Sequence, residues 1–403
     1  MLEALQQRFT TDHYTEERYK ALLADIDKEL GMNVEFRIAE MPLFLSHSFA
    51  KKLEDAAVSI LLECITPEYL KFAAPSLEAR YTVPEQHPHP LFGIVDFAVT
   101  KGANGEYEPK LIELQGFPSL YGFQYLYAIK ALQHYQLDPR LDYTLSGVKP
   151  DEYLTMLRKN LLNGHNAENV VLMELRPDEQ KTRPDFIATE QLTGVRAVDI
   201  CSLKKDGNTL LYERDGKWIP IHRIYNRAII DELDDAKAVI PFNWNDNLDV
   251  EWAGHPNWYF LISKYSMPFL KHPSVPKTHF LHQMPEIPQD IENYVLKPLF
   301  AFAGKGVNVA PTRADVEAVP AEERDKWILQ ERVHYAEALY TPEGMNKSEV
   351  RILCIWEPGS AKPIPILSLL RSGRGPMLGS RYNRVPWTGA SSCFFGDDAI
   401  FRA

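Results

Sequence analysis

The segment LFGIVDFAVTKGANGEYEPKLIELQGFPSLYG, residues 91–122, most constrains how this chain of 403 residues can fold. Asn104-Gly105 is the dipeptide most favoured in two-residue hairpin loops, and the flanks FGIVDFAV and KLIELQ alternate or run apolar as strands do. With that loop, Ala103 pairs with Glu106. Counting outward sets Asp96 opposite Glu113 and Gln115 opposite Ile94, all on one face. Two carboxylates directly opposite repel, so the arrangement needs a compensating cation or a shared proton. In the competing reading Gly102 and Pro109 lengthen the loop, the register slips, and one carboxylate points to solvent.

A chain this long exceeds one small core and is expected to divide into two or three domains, here near residues 150 and 250. Hydrophobic residues at 45% and charged ones at 25% place it among ordinary globular proteins and exclude a disordered chain. No apolar run approaches the ~18 residues of a membrane helix, and the first residues, MLEALQQRFTTDHYTEERYK, are polar and acidic where a signal peptide is basic then apolar. A cytoplasmic protein with no membrane partner is the expectation. Cys64, Cys201, Cys354 and Cys393 form no C-x-x-C pair, which argues against a zinc knuckle or a disulfide framework. The net charge of −11 argues against a nucleic-acid surface. From Arg371 onward, however, the balance is +3, leaving −14 for residues 1–370. Such a cluster suits a small anionic ligand, and a solvated basic tail is the alternative.

Residues 15–30 and 48–64 read as packing helices, the first opened by Thr15 and closed by Gly31. GFQYLYAIKALQHY reads as a third. NVVLMEL at 169–175, a strand or helix start near Phe186, and VRAVDICSL near 195–203 form a βαβ pattern and imply an open α/β sheet. A hairpin follows around Asp215 and Gly216. From about Trp258 the pattern changes to strands with glycine-bearing loops: YVLKPLF, VNVAP, WILQERV, EVRILCIW and PIPILSLLRSG.

In YVLKPLF, Lys297 shares a side with Val295 and Leu299, and a buried lysine is costly unless an anion pairs with it. Gly304-Lys305-Gly306 follows, where paired glycines let backbone N–H groups fold around an anion, or where a plain turn exposes a lysine. No glycine stands five residues before Gly304 and no Ser or Thr follows Lys305, so this is not a Walker A loop. SGRGPMLG has the wrong glycine spacing for a dinucleotide fingerprint and no following βαβ unit. Gln330 and Glu331 end a strand whose polar edge can face an adenine ring. Arg351 shares a face with Leu353 and Ile355, as a site cation or half of a structural salt bridge.

In their order these segments resemble the circularly permuted branch of the ATP-grasp enzymes, the synthetase half of the glutathionylspermidine synthases in particular. DFAVT with Asp96 looks like the family's aspartate strand, and IELQGFPSLYG like its E-x-N strand with a proline-bearing loop. VLKPLFAFAGKGVNV is similar to its KP-x-x-G-x-x-G-x-NV segment, and LQERV to its Q-E hinge. ISKYSMPFLKHPSVPKT resembles its lysine-bearing helix, and LGSRYNRVPWTGASSCFF its closing G-x-R segment. The chain departs from the pattern at Ile94, where the family has arginine, and at Gln115, where it has asparagine. The associated amidase domain has no counterpart.

The resemblance implies an α+β, circularly permuted ATP-grasp fold with an additional open α/β subdomain. A helical N-terminal region and the metal-binding hairpin would occupy 1–150, a substrate subdomain 151–250, and the nucleotide-binding lobes 251–403. It implies an ATP-dependent carboxylate–amine ligase, with small-molecule acid and amine substrates and no nucleic-acid partner. Asp96, Glu113 and Gln115 would hold Mg²⁺. Lys264, Lys297, Gly304, Lys305, Gly306, Gln330 and Glu331 would hold ATP, and Arg351 and Arg381 would steady the transferring phosphoryl group. A phosphotransferase on the same fold, a nucleotide-binding protein without turnover, and a structural protein unrelated to nucleotides stay open.

Overall fold

A computed structural model describes residues 3–299, 305–379 and 384–397. Its centre is an antiparallel sheet to which the two ends of the sequence contribute. Phe92–Lys101 and Tyr107–Gln115 form the predicted hairpin, and Phe92–Lys101 pairs on its other side with Gly344–Ile355. Ile364–Gly373 and Gly389–Ser391 extend the sheet beyond that strand, and Glu337–Thr341 also pairs with it.

The hairpin register is the predicted one at the acidic pair, Asp96↔Glu113 and Ile94↔Gln115, although the turn differs. Gly102 N–H donates to the Glu106 carbonyl at 2.8 Å, so three residues, Ala103 to Gly105, make the loop, and Gly105 takes the left-handed conformation at φ +81°. That shifts the pairing by one residue near the loop, where Lys101 faces Tyr107. A β-bulge restores it, since Phe97 faces Leu111 while Asp96 faces Glu113, leaving Ile112 unpaired. Two departures from the simple count cancel at the carboxylates.

One side of this sheet packs on helices. Glu16–Leu30 is capped by Thr15, whose side chain accepts from the Arg18 N–H, and closed by Gly31 in the left-handed conformation. His47–Glu63 buries Phe49, Leu53, Ala56, Ala57, Ile60 and Leu61 in the core beneath the sheet. Each large apolar side chain there contributes about 1.5–3 kcal/mol. Cys64, Cys354 and Cys393 are buried and Cys201 is exposed, all as free thiols.

Tyr121–His134 has no side-chain cap of its own. Fully buried Asp185 supplies one from Arg183–Thr193, its carboxylate accepting from the N–H groups of Leu120, Gly122 and Phe123 at 2.9–3.0 Å. Its loss removes a cap worth about 1 kcal/mol and strands buried donors costing about 1–3 kcal/mol. Asp185→Ala is therefore expected to lower stability by about 3 kcal/mol and Asp185→Asn by about half that, read from urea unfolding midpoints. Equal midpoints for Asp185→Ala and wild type would refute the capping role.

The central third builds a four-stranded parallel sheet in the order Glu251–Ala253, Arg223–Asn226, Val170–Glu174, Arg196–Asp199. The βαβ unit expected around VVLMEL is its core, with Arg183–Thr193 as the crossover helix. A three-stranded antiparallel sheet, Lys204–Asp206, Thr209–Arg214 and Lys217–Ile221, adjoins it, with Asp215 and Gly216 at the second turn. A small antiparallel sheet carries Lys297: Thr278–Phe280, Trp327–Glu331 and Tyr294–Pro298. The strand expected in VNVAP reduces to one bridge between Leu296 and Asn308. Among the described residues no helix is long and apolar enough to cross a membrane.

Candidate functional site

A cavity of about 720 Å³ lies where these three sheets meet. The large sheet lines it with Glu113, Gln115, Glu349, Arg351 and Arg371. The small sheet contributes Val295, Lys297, Gln330 and Glu331, and the parallel sheet reaches it through Glu174 and Arg227. Val307, Val309, Val333, Met377 and Leu378 add apolar wall.

Asp96 does not line the cavity. It sits fully buried behind Arg351, its direct neighbour on the next strand, which forks onto both carboxylate oxygens at 2.7 Å. Arg371 adds a third bond at 2.9 Å and also donates to Glu349, its own cross-strand partner, at 2.6 Å. The Tyr335 hydroxyl closes the other side of Glu349 at 3.0 Å. Burial raises the Asp96 carboxyl, but Arg351 and then Arg371 outweigh it and hold the pKa at about 2. Burial raises Glu349 above the usual carboxylate range, with Asp96 and Glu113 acting the same way against Arg371. The compensating cation that the acidic pair requires is thus an arginine. Asp96, expected as a metal ligand, is held by Arg351 and Arg371 behind the cavity wall.

Glu113 and Gln115 do face the cavity. The Glu113 carboxylate lies 3.7 Å from Arg351, and Gln115 donates its amide N–H to the Phe117 carbonyl at 3.2 Å. Among the described residues no group of three His, Cys, Asp or Glu side chains is placed to hold a metal. The donors that remain suit a cation of the magnesium kind, bound by one or two protein oxygens together with phosphate oxygens.

Lys297 is 8% exposed and its ammonium donates to the carbonyl of the bulged Ile112 at 3.1 Å. The bulge therefore supplies an acceptor that a regular ladder would have used. Burial lowers its pKa to about 8, against the opposing pull of Glu113, with Lys264 pushing the same way as burial. A depressed lysine pKa costs stability while the group is charged, fully so below pH 8, and the cost fades as pH rises toward 10.5. Between pH 8 and 9.5 the stability advantage of Lys297→Met over wild type is expected to shrink by about 1.5 kcal/mol. Urea unfolding of both at the two pH values measures this, and a constant difference would contradict the buried, charged lysine.

Lys264 opens a single 3-10 turn, Lys264–Ser266, in place of the expected helix, and lines the cavity. Gln330 is 1% exposed, and its amide Nε2 has no hydrogen-bond partner among the described residues. Glu331 is half-buried and pairs with Lys277 at 3.6 Å. Lys305 does not line the cavity; its exposed ammonium bonds Asp235 at 3.2 Å. Gly306 adopts φ +75° against Pro298, a turn that a side chain would strain. Gly304 and Arg381 lie outside the described residues.

Arg371 belongs to the basic cluster expected to suit a small anionic ligand, whereas the cavity residues Glu349, Tyr335, Arg227 and Glu174 escape a reading of the sequence. Glu349 stands two residues before Arg351 and so shares its face, a signal that alternation carries. Glu174 interrupts an otherwise apolar strand end, and Arg227 simply follows a strand.

No family model matches this sequence, and no curated protein does. Among solved structures, the fold is similar to that of a glutathione synthetase-like effector from Globodera pallida in its apo form. The two share 12% identity at a TM-score of 0.57, covering 96% of this chain and 99% of the other. The likeness extends over the whole chain and concerns the fold.

Proposed function

We propose that this chain is an ATP-dependent ligase of the circularly permuted ATP-grasp type, joining a carboxylate to an amine. The observation that carries the reading is the convergence on one cavity of Lys264, Lys297, Glu113, Gln115 and Gln330, whose amide nitrogen has no partner among the described residues. Whole-length likeness to a protein described as glutathione synthetase-like supports a ligase-type fold.

In this reading the apolar patch of Val295, Val307 and Met377 covers the adenine ring, and the Gln330 amide meets its polar edge. Lys297 and Lys264 neutralise phosphate charge in a water-poor site, where fixed cations act most strongly. Arg351, held rigid by Asp96, presents its guanidinium toward the same space and steadies the phosphoryl group as it passes to the substrate carboxylate. An amine then displaces phosphate from the acyl phosphate, forming the amide. Glu113 and Gln115 would hold Mg²⁺, which would supply charge neutralisation for the phosphates. No protein nucleophile is needed.

A screen for ADP release against amino acids, small peptides and polyamines, with an acid and an amine supplied together, tests the reading. ADP formed in proportion to an amide product supports it, and ADP with a stable phosphorylated alcohol would identify a phosphotransferase. The engagement of Asp96 by two arginines, with Ile94 and Gln115 departing from the family, favours a second reading: a nucleotide-binding protein without turnover. ATP binding with no ADP release on the whole panel would select it.

A further inference from the structure

In the parallel sheet, the chain passes from Val170–Glu174 to Arg196–Asp199 on one side, then returns to place Arg223–Asn226 on the other. The order reverses between those two strands, and crevices at such points, at the carboxyl ends of the strands, collect ligands. Glu174 ends one flanking strand and Arg227 follows the other. Both are nearly fully buried and both line the cavity wall.

Arg227 is the informative member. One terminal nitrogen donates to the Pro118 carbonyl, and the guanidinium lies near the Phe117 and Phe186 rings, 5.1 and 5.7 Å from their centroids. Its Nε–H has no partner among the described residues. Three acids neighbour it: Asp185 accepts from three backbone N–H groups, Glu174 from the Leu175 N–H at 2.8 Å, and Glu232, also on the cavity wall, from the Gln180 amide at 3.4 Å. Arg227 lines the cavity, and a buried guanidinium with a donor left over is expensive unless an anion completes it. Ser119, Gln180 and Thr182 stand on the same wall and add neutral polar groups.

We propose that the crevice between Glu174 and Arg227 is a subsite for a substrate carboxylate that does not itself react, with Arg227 as its anchor. The proposal rests on the ligase reading for the reacting carboxyl, and on the crevice alone for the anion. Burial raises the Glu174 pKa to about 8 despite the nearby Arg227, with Glu232 and Asp199 acting in the same direction as burial. At neutral pH Glu174 is thus a neutral hydrogen-bonding wall that does not itself neutralise Arg227.

Calorimetric titration of the full chain with glutarate, and separately putrescine, with a nonhydrolysable ATP analogue and Mg²⁺ present, tests this. Glutarate is expected to bind, at least tenfold more weakly to Arg227→Met, with part of the affinity kept by Arg227→Lys and analogue binding unchanged in both. Because Arg227 also holds the Pro118 carbonyl, Glu174→Gln provides a reading independent of that bond. At pH 9, where wild-type Glu174 is ionised, the Glu174→Gln protein should bind glutarate about tenfold better than wild type. Equal glutarate affinity in wild type and Arg227→Met, equal affinities at pH 9, or binding of putrescine alone would overturn the subsite. Failure of the analogue to bind while glutarate binds would remove the ligase reading and leave the subsite standing.

Discussion

Lys297→Met is expected to weaken ATP binding by about 100-fold or more while leaving the unliganded protein as stable as wild type or more so. Removing one partner of a buried charge pair typically costs about 2–5 kcal/mol of binding. In the absence of ligand, however, this ammonium is a burden. It is almost fully buried, holds one carbonyl of Ile112, and has its pKa depressed to about 8 by burial. Holding it charged at pH 7 costs roughly 3 kcal/mol. Methionine fills similar volume without that cost. Opposite movement of affinity and stability is the mark of a group kept for its ligand. If both fell together, Lys297 would be a structural residue. The comparison needs only a titration and a denaturation curve on the same protein.

The second large effect falls on stability. Arg351→Leu is expected to destabilise the protein by about 3–5 kcal/mol, because Asp96, fully buried, loses the fork that holds both its oxygens and keeps only Arg371. Arg371 is already shared with Glu349, so it cannot compensate fully. Asp96→Leu alone should be similarly costly, leaving Arg351 and Arg371 facing one another. Combining the two substitutions removes the charge and its partner together and should recover most of the loss. Additive losses in the double variant would mean that Asp96 and Arg351 act independently, against the geometry. The recovered double variant should still lack turnover, since the Arg351 guanidinium proposed to steady the phosphoryl group is gone.

Much of this site is legible in the sequence. Local rules place the helix at Glu16–Leu30 between Thr15 and Gly31, and alternation places Lys297 and Arg351 on buried faces. The acidic pair of the hairpin follows from a simple count only because two departures offset. The loop is one residue longer than Asn-Gly suggests, and the bulge at Ile112 returns the register. Bulges leave no local signature, so only the partner strand reveals this one. The partner of Asp96 is illegible for the same reason. Strand Gly344–Ile355 lies some 250 residues away, and nothing in either strand fixes their mutual register. The two arginines that hold Asp96 are therefore not visible in the hairpin sequence. Arg227 and Glu174 meet only at a reversal of strand order, a property of topology that no window of sequence contains.

The shared face of the sheet also explains how one strand serves two ends. On Gly344–Ile355, the odd-numbered Glu349 and Arg351 point into the cavity network, while Val350 and Ile352 enter the helical core. A core-facing substitution such as Ile352→Val should therefore cost about 0.5–1.5 kcal/mol without a large change in binding.

The account stands most directly on whether the cavity takes a nucleotide. Titrating ATP with Mg²⁺ into the full chain by calorimetry is expected to give saturable binding of one nucleotide per chain, lost in Lys297→Met. No saturable heat at millimolar ATP, or binding left unchanged by Lys297→Met, would contradict it.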